Sequence, residues 1–142
     1  SVMHDSEVFI DTSGFFALLV QKDPTHKRAK ELLRQLQVNK GYALTSDYVI
    51  DETLTLLKMC GVSHLSNTML TVLEESKALC LAFISEARFN TAKTYYVKHL
   101  DQGFSFTDCT SFVLMKELKL ARCMTTDMHF RIAGFDPLLS AN

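Results

Sequence analysis

Several carboxylates in this sequence stand where an ionised group needs a partner. Asp11 directly follows the apolar run Val8-Phe9-Ile10, which is too short for a helix and is typical of a buried strand. An ionised carboxylate is rarely buried alone, because desolvating an unpaired charge is unfavourable by several kcal/mol or more. Asp11 is therefore either a helix N-cap or a ligand, and the hydroxyls that follow it are able to cap the helix instead.

Glu52 lies on an apolar helical stripe, because its neighbours at i−4, i+4 and i+7 are Tyr48, Leu56 and Met59. The adjacent Asp51 falls on a polar stripe, so we expect it to face solvent. A buried glutamate must pair with a cation, bind a metal ion or be protonated. A salt bridge with a distant Lys or Arg is the alternative to a metal ligand at this position.

Two further acids have comparable positions. Asp108 opens a predicted helix whose inward face continues through Ser111, Phe112 and Met115. An acid in a first helical turn is stabilised by the helix dipole by ~0.3–1 kcal/mol, which alone could explain it. Asp127 follows Thr125-Thr126 and is either a turn residue or a ligand. Capping, a salt bridge, the helix dipole or a turn each remains an alternative for one of these acids. None of them explains why four carboxylates occupy such positions in one chain.

These four carboxylates would repel one another and raise each other's pKa values unless a cation held them. Oxygen ligands without His or Cys select hard ions, which here means one or two Mg²⁺ or Mn²⁺ ions. Such ions activate a water nucleophile and stabilise the leaving oxygen in phosphodiester cleavage. The residues therefore predict metal-dependent hydrolysis of a phosphate ester.

Short apolar runs alternate with helical patterns along the whole chain and would position these acids. The patterns predict strands at 7–10, 42–45, 78–84 and 122–126 with a short edge strand near 135, and helices at 12–20, 24–36, 47–60, 63–73, 86–99 and 108–118. Asp23, Ser46 or Asp47, Ser85 and Thr107 are the predicted N-caps, and Gly61 ends the third helix. This alternation predicts an α/β fold with a parallel sheet covered on both faces, in which sites lie at the carboxyl ends of the strands.

The composition fits one globular domain over residues 1–142, with residues 1–6 expected to be loose or added by processing. The sequence shows neither a run of ~20 apolar residues nor a signal-peptide pattern, so we expect no membrane association. The four cysteines (Cys60, Cys80, Cys109 and Cys123) are widely spaced within apolar segments. They are predicted to be buried free thiols of a reducing, cytoplasmic compartment.

A net charge of −1 provides no overall attraction to nucleic acid, so RNA binding would need a local basic patch. Between residues 22 and 40 six basic side chains accompany only Asp23 and Glu31. The candidate RNA contacts within this patch are Lys27, Arg28, Lys30 and Arg34. A solvated helix face is the simpler explanation, and a groove for a protein inhibitor on the early helices is a competing use of the same surface.

Four segments, in this order and spacing, resemble the PIN domain in the style of VapC ribonuclease toxins: Phe9-Ile10-Asp11-Thr12-Ser13, Thr45-Ser46 leading to Glu52, Ser105-Phe106-Thr107-Asp108-Cys109, and Thr125-Thr126-Asp127-Met128-His129-Phe130. The resemblance implies a three-layer α/β/α sandwich with a mainly parallel sheet and an acidic pocket for Mg²⁺ or Mn²⁺. It also implies an endoribonuclease of single-stranded RNA. Members commonly form homodimers, and the toxins are held inactive by a cognate antitoxin.

By match of motif, the resemblance makes Asp11, Glu52, Asp108 and Asp127 the catalytic metal ligands, with Thr12 and Thr107 as supporting hydroxyls. Two positions depart from the family. Many relatives carry a basic residue where this chain has Met128, and some carry a further acid where it has Phe130. The second departure points to a four-acid site that holds one ion firmly and a second only with substrate.

Two functions follow from this sequence. The first is a metal-dependent ribonuclease, and the alternative is a PIN-like module that binds RNA or a partner protein with little or no catalysis. The presence of all four acids favours the enzyme. Asp101, shortly before Gly103, is a further candidate for the rim of the pocket, although an acid in a loop is usually only solvated.

Overall fold

A computed structural model describes residues 6–140 and places five strands in one parallel sheet of order β3-β2-β1-β4-β5. The strands are β1 (Glu7–Ile10), β2 (Tyr42–Ser46), β3 (Leu79–Ala82), β4 (Arg122–Met124) and β5 (Asp136–Pro137). The helices in this part of the chain are α1 (Thr12–Leu19), α2 (His26–Val38), α3 (Asp47–Met59), α4 (Ser66–Glu75), α5 (Glu86–Lys98), α6 (Phe106–Glu117) and α7 (His129–Ile132). Residues 1–5 of the segment predicted to be loose lie outside the described residues.

Strand β1 occupies the centre of the sheet. Phe9 pairs with Leu44 on one side and with Cys123 on the other. Val8, Phe9 and Ile10 are each no more than 3% exposed. A strand with neighbours at both edges and helices over both faces has no solvent-facing side, which explains its uninterrupted apolar sequence. The predicted parallel α/β/α sandwich is therefore confirmed.

The parallel arrangement brings the carboxyl ends of β1, β2 and β4 to one edge of the sheet. Helix α1 begins there, and its Gly14 passes so close to β4 that an added Cβ would lie 2.1 Å from the carbonyl oxygen of Met124. Only glycine allows this approach. The start of α1 is thereby held against the segment that follows β4, which carries Asp127.

Three helix starts differ from the prediction, and the first is that of α4, which begins at Ser66 after a 3-10 turn over Ser63–Leu65. Helix α2 begins at His26, because the Asp23 carboxylate accepts hydrogen bonds from the amide of Thr25 (2.8 Å) and from its hydroxyl (2.6 Å) and so closes a turn. Helix α6 is capped by Ser105 instead of Thr107, and its Oγ accepts from the amide of Asp108. The predicted cap at Ser46 is confirmed, since its Oγ accepts from the Val49 amide.

The prediction of four buried thiols is wrong for two of them. Cys109 and Cys123 are buried, but Cys60 and Cys80 are exposed. Cys60 follows the last turn of α3, where Gly61 adopts a φ of +75° as predicted for the end of that helix. Cys80 lies on β3, which is an edge strand and therefore has a side open to solvent. All four thiols are free.

Within the part of the chain that the structure describes, the helices are all too short or too polar to cross a membrane.

Candidate active site

Asp11 occupies the N-cap position of α1 without capping it by its side chain. Its carboxylate is 4% exposed, and Oδ2 accepts a hydrogen bond from the Thr125 hydroxyl at 3.1 Å. Oδ1 is buried with no hydrogen-bond partner. Burial raises the pKa of Asp11 from 3.8 to about 7, even though the nearby Thr12 amide and the hydrogen bond from the Thr125 hydroxyl favour the charged form. A buried oxygen left free in this way fits a ligand better than a cap.

The hydroxyl of Thr125 connects the ends of β1 and β4. Besides donating to Asp11, its Oγ1 lies 3.0 Å from the Ser13 hydroxyl and accepts from the Asp127 amide at 3.0 Å. Ser13 Oγ in turn accepts from the amide of Thr126. These bonds fix the loop after β4, and the polar runs after the two strands thus hold Asp11 and Asp127 at the same edge.

Glu52 reaches the site from the second turn of α3. Its Oε1 accepts a hydrogen bond from the hydroxyl of Thr12, the first residue of α1. Its side chain is half-buried, whereas Asp51 is exposed as predicted. The Thr12 hydroxyl thus holds one carboxylate oxygen of Glu52, and its role as a supporting hydroxyl stays a prediction.

Asp108 is 7% exposed in the first turn of α6. It forms a capping box with Ser105, in which the Ser105 amide donates to Asp108 Oδ2 at 3.1 Å. The pKa of Asp108 is raised chiefly by burial, and the charges of Asp127 and Glu52 raise it further. Thr107 is half-buried beside it in the same turn, with its carbonyl accepting from the Thr110 hydroxyl.

His129 is a site residue that the sequence analysis did not assign. Its Nδ1 lies 3.2 Å from Asp127 Oδ1 and 3.5 Å from Asp108 Oδ2. One potential ligand atom from each of these three side chains lies within 4.8 Å of the others. The His129 amide also donates to Asp127 Oδ1 at 2.8 Å. The spacing Asp-x-His gave no helical signal for this contact, because residues i and i+2 do not share a helix face, and the contact depends on the turn that precedes α7.

The structure thus brings the four predicted acids into one electrostatic group. Asp108 and Asp127 form the close cluster with His129, while the charges of Asp11 and Glu52 both act on Asp108. The candidate rim acid, Asp101, is exposed in the turn after α5. The four basic candidates for RNA contact are exposed on α2, where Arg34 pairs with Glu31 at 2.6 Å.

This arrangement fits a divalent cation. Asp108 and Asp127 lie close together beside His129, the charges of Asp11 and Glu52 act on Asp108, and one buried oxygen of Asp11 lacks a partner. Desolvated acids that raise one another's pKa are stabilised when a cation binds among them. Asp11, Glu52, Asp108 and Asp127 would supply the oxygen donors that hard divalent ions such as Mg²⁺ and Mn²⁺ prefer.

The parallel sheet with helices on both faces makes this an α/β protein. Its acidic cluster lies at the carboxyl ends of the strands, which is where ligands usually bind in such sheets. The sequence profile of the PIN domain matches residues 8–136. The chain belongs to the PIN domain family.

Three comparisons place it within that family. It is 30% identical over 129 residues to the 23S rRNA-specific endonuclease VapC20 of Mycobacterium tuberculosis, covering 90% of this chain and 95% of that protein. It is 29% identical over 125 residues to a VapC ribonuclease of Archaeoglobus fulgidus, covering 87% of this chain and 78% of that protein. The crystal structure of M. tuberculosis VapC20, a sarcin-ricin loop cleaving toxin, matches with a TM-score of 0.78 at 27% identity, over 90% of this chain and 95% of that one. The chain is accordingly a nuclease of the VapC type.

Proposed function

We propose that this protein is an endoribonuclease that hydrolyses phosphodiester bonds of single-stranded RNA with Mg²⁺ or Mn²⁺ at the acidic site. The observation that carries the proposal is the convergence of Asp11, Glu52, Asp108 and Asp127 at the carboxyl edge of the sheet, with a buried, unpartnered oxygen on Asp11. The naming of the relatives as VapC ribonucleases supports RNA as the substrate.

Each polar neighbour in the site has a definable task. The Thr12 hydroxyl donates to one oxygen of Glu52, and the Thr125 hydroxyl donates to one oxygen of Asp11. These hydrogen bonds orient the two carboxylates. The Asp127 carboxylate is held by the amide of His129. A divalent ion bound here would supply Lewis-acid stabilisation of the phosphate and lower the pKa of a water nucleophile. The protein's contribution is a fixed, partly desolvated set of donors that need little rearrangement during the reaction.

The test is cleavage of a panel of structured and unstructured RNAs, including 23S rRNA, with Mn²⁺, with Mg²⁺ and with EDTA. Glu52→Gln should abolish cleavage, and the matched control is Asp51→Asn, because Asp51 is the neighbouring acid and faces solvent. We expect the control to cleave like the wild type. An RNA panel left intact with either metal ion would contradict the proposal.

Isothermal titration with Mn²⁺ separates this function from a binding-only module. An enzyme of this kind should bind Mn²⁺ at the acidic site, and Glu52→Gln should weaken that binding. A binding-only module should show little site-specific affinity for the ion, with no change in the variant.

A small protein inhibitor belongs to the same proposal. A cavity of ≈ 300 Å³ lies between α1, α2 and α4, with Phe15, Leu19, Leu33 and Val72 among its apolar lining and Lys30 beside them. This lining fits an apolar segment that also carries an acidic residue, and we propose an antitoxin as its occupant. The VapC toxin among the relatives supports a partner of this class.

The inhibitor is tested by co-expression with any small protein that a neighbouring reading frame encodes, followed by co-purification. Val72→Glu should prevent the complex, because Val72 is 46% exposed and a carboxylate there would oppose an apolar partner. Val97→Glu on α5 is the control, since Val97 is 60% exposed outside the cavity lining. A complex that survives Val72→Glu would remove the cavity from the proposal.

We also propose that the chain, as a single domain over residues 1–142, forms a homodimer. Sedimentation equilibrium of the purified protein would measure its mass, and a monomer at high micromolar concentration would contradict the dimer.

A further inference from the structure

The imidazole of His129 faces the acidic site with a nitrogen where the sequence alone led us to expect only oxygen donors. Nδ1 is 3.2 Å from Asp127 Oδ1 and 3.5 Å from Asp108 Oδ2. Two ligand atoms at ~2.1 Å from one octahedral ion lie ~3.0 Å apart when they occupy adjacent positions. The observed separations are therefore close to those of neighbouring ligands on a single ion.

The ring is held in this orientation from behind. It packs edge-to-face against Phe104, with centroids 5.5 Å apart and an interplanar angle of 85°. An added Cβ at Gly103 would lie 3.0 Å from Nε2, so the backbone of the loop before α6 approaches the far edge of the imidazole. Packing on that edge directs Nδ1 toward the carboxylates.

A second observation at the same site indicates that a cation completes it. Asp11 is 4% exposed, and its Oδ1 has no hydrogen-bond partner. The charge of Asp11 acts on Asp108, a member of the histidine cluster. A buried carboxylate oxygen without a donor, next to two further acids, is the environment in which a bound ion replaces missing hydrogen bonds.

We propose that His129 Nδ1 is a ligand of the divalent ion together with Asp108 and Asp127, and that this nitrogen makes the site favour Mn²⁺ or Co²⁺ over Mg²⁺. Imidazole suits transition metals, whereas Mg²⁺ prefers oxygen donors and retains its waters. The inference rests on the proposed function of the acidic site and specifies which ions that site selects.

The alternative role of His129 is that of a cation that neutralises the two acids when no metal is bound. The two roles predict different results on substitution. If His129 is only a counter-charge, its removal changes the affinity for Mn²⁺ and Mg²⁺ by the same factor. If it is a ligand, its removal weakens Mn²⁺ binding selectively.

The experiment measures the Kd of Mn²⁺ and Mg²⁺ for the full chain by titration calorimetry and records ¹⁴N modulation of the bound Mn²⁺ by electron spin-echo spectroscopy. The wild type should show coupling to one imidazole nitrogen. In His129→Asn, which offers an oxygen instead, we expect the coupling to vanish. The preference for Mn²⁺ over Mg²⁺ should fall about tenfold or more in that variant. His64→Ala is the matched control, because His64 is exposed in the turn before α4.

Gly103→Ala provides a second variant that keeps the imidazole. Its Cβ should displace the ring and reduce the Mn²⁺ preference in the same direction, without removing any side chain from the site. Circular dichroism confirms that each variant is folded.

The outcomes separate this inference from the proposed function. Bound Mn²⁺ without nitrogen coupling, in a wild type that cleaves RNA, overturns the ligand role of His129 and leaves the ribonuclease intact. Nitrogen coupling in a protein that leaves RNA intact supports the ligand and overturns the activity. Equal changes in Mn²⁺ and Mg²⁺ affinity on substitution also overturn the inference.

Discussion

The buried, ionised carboxylate of Asp11 destabilises the metal-free protein, and as the proposed ligand it should stabilise the ion-bound protein. Its carboxylate is buried among other acids, with hydrogen bonds that satisfy only one oxygen. Burial is the largest influence on its pKa, which rises to about 7 in the folded state. The free energy of unfolding of the metal-free protein therefore depends on the charge of this one residue. Sites that bind substrates or ions are commonly less stable than a comparable apolar arrangement would be.

Asp11→Asn should stabilise the metal-free protein at pH 8 while abolishing RNA cleavage. Since the folded pKa of about 7 exceeds the ordinary value of 3.8, the folded state binds the proton more tightly. The contribution of Asp11 to stability is then greatest below about pH 4 and falls as the pH rises from 4 to 7, by roughly 4 kcal/mol at most. Urea unfolding of both proteins in EDTA at pH 5 and pH 8 measures the difference. If the difference in free energy of unfolding between the two proteins is the same at both pH values, the raised pKa of Asp11 is contradicted. Added Mn²⁺ should raise the Tm of the wild type but not that of the variant.

Thr125→Val should reduce activity about tenfold and move the lower limb of its pH profile upward. The variant removes the hydroxyl that donates to Asp11, and this hydrogen bond lowers the pKa of that carboxyl. It also removes the acceptor of the Asp127 amide. Thr125→Ser is the control, because it keeps the hydroxyl. Cleavage rates between pH 5 and pH 9 test the pair, and a serine variant as impaired as the valine variant would show that packing matters here more than the hydrogen bond.

At the scale of helices and strands, the sequence predicts most clearly what depends on periodicity. The central position of β1 follows from its uninterrupted apolar run. The α3 stripe predicts the half-burial of Glu52 less well, because its member Met59 is 78% exposed and the buried face of α3 is formed by Val49, Ile50, Thr53 and Leu57. Helix starts depend instead on competing local hydrogen bonds. Ser105-x-x-Asp108 is a capping-box pattern, so the sequence contains the signal for the Ser105 cap of α6. The prediction of Thr107 as the cap did not use that pattern.

Other features depended on contacts between segments distant in the sequence. Thr125 gains its role from Asp11, which lies 114 residues away, and Asp108 lies near His129 only after α6 and α7 pack together. Cys80 became exposed because its strand has only one neighbour in the sheet. Strand order of this kind is a property of the whole fold, which a local apolar pattern does not contain.

Gly14→Ala should destabilise the protein by about 2–4 kcal/mol, because its Cβ would lie 2.1 Å from the Met124 carbonyl oxygen and force α1 away from β4. Gly61→Ala is the matched control. That site has a φ of +75° with nothing within 4 Å, so only backbone strain of about 1 kcal/mol is expected. Urea unfolding measures the loss of stability in each variant. If Gly14→Ala destabilises the protein no more than Gly61→Ala does, the close packing of α1 against β4 is contradicted. Metal affinity should fall only in the first variant, since α1 carries Thr12 and follows Asp11.

The net charge of the chain is only −1, but two groups of charged side chains stand apart from each other. Four of the sixteen acidic residues form the site group at the carboxyl ends of the strands, and α2 presents an exposed basic surface. An enzyme that brings a polyanion to a cluster of carboxylates needs positive charge outside that cluster. Arg34 is engaged by Glu31 in a two-point contact, which leaves Lys27, Arg28 and Lys30 as the stronger candidates of the four predicted.

Reversal of Lys27 and Arg28 to Glu should weaken RNA binding without changing the affinity for Mn²⁺. Each phosphate contact to single-stranded RNA contributes about 0.7 to the slope of log K against log salt, so the loss of two contacts should reduce that slope by roughly 1.4. Lys93→Glu with Lys98→Glu on α5 is the control of equal charge, since both lysines are exposed on a different helix. Fluorescence anisotropy of a labelled RNA between 50 and 200 mM salt measures both double variants. If the two lose affinity equally, RNA responds to net charge alone. An unchanged slope in the α2 variant would make an inhibitor surface the better explanation of these basic residues.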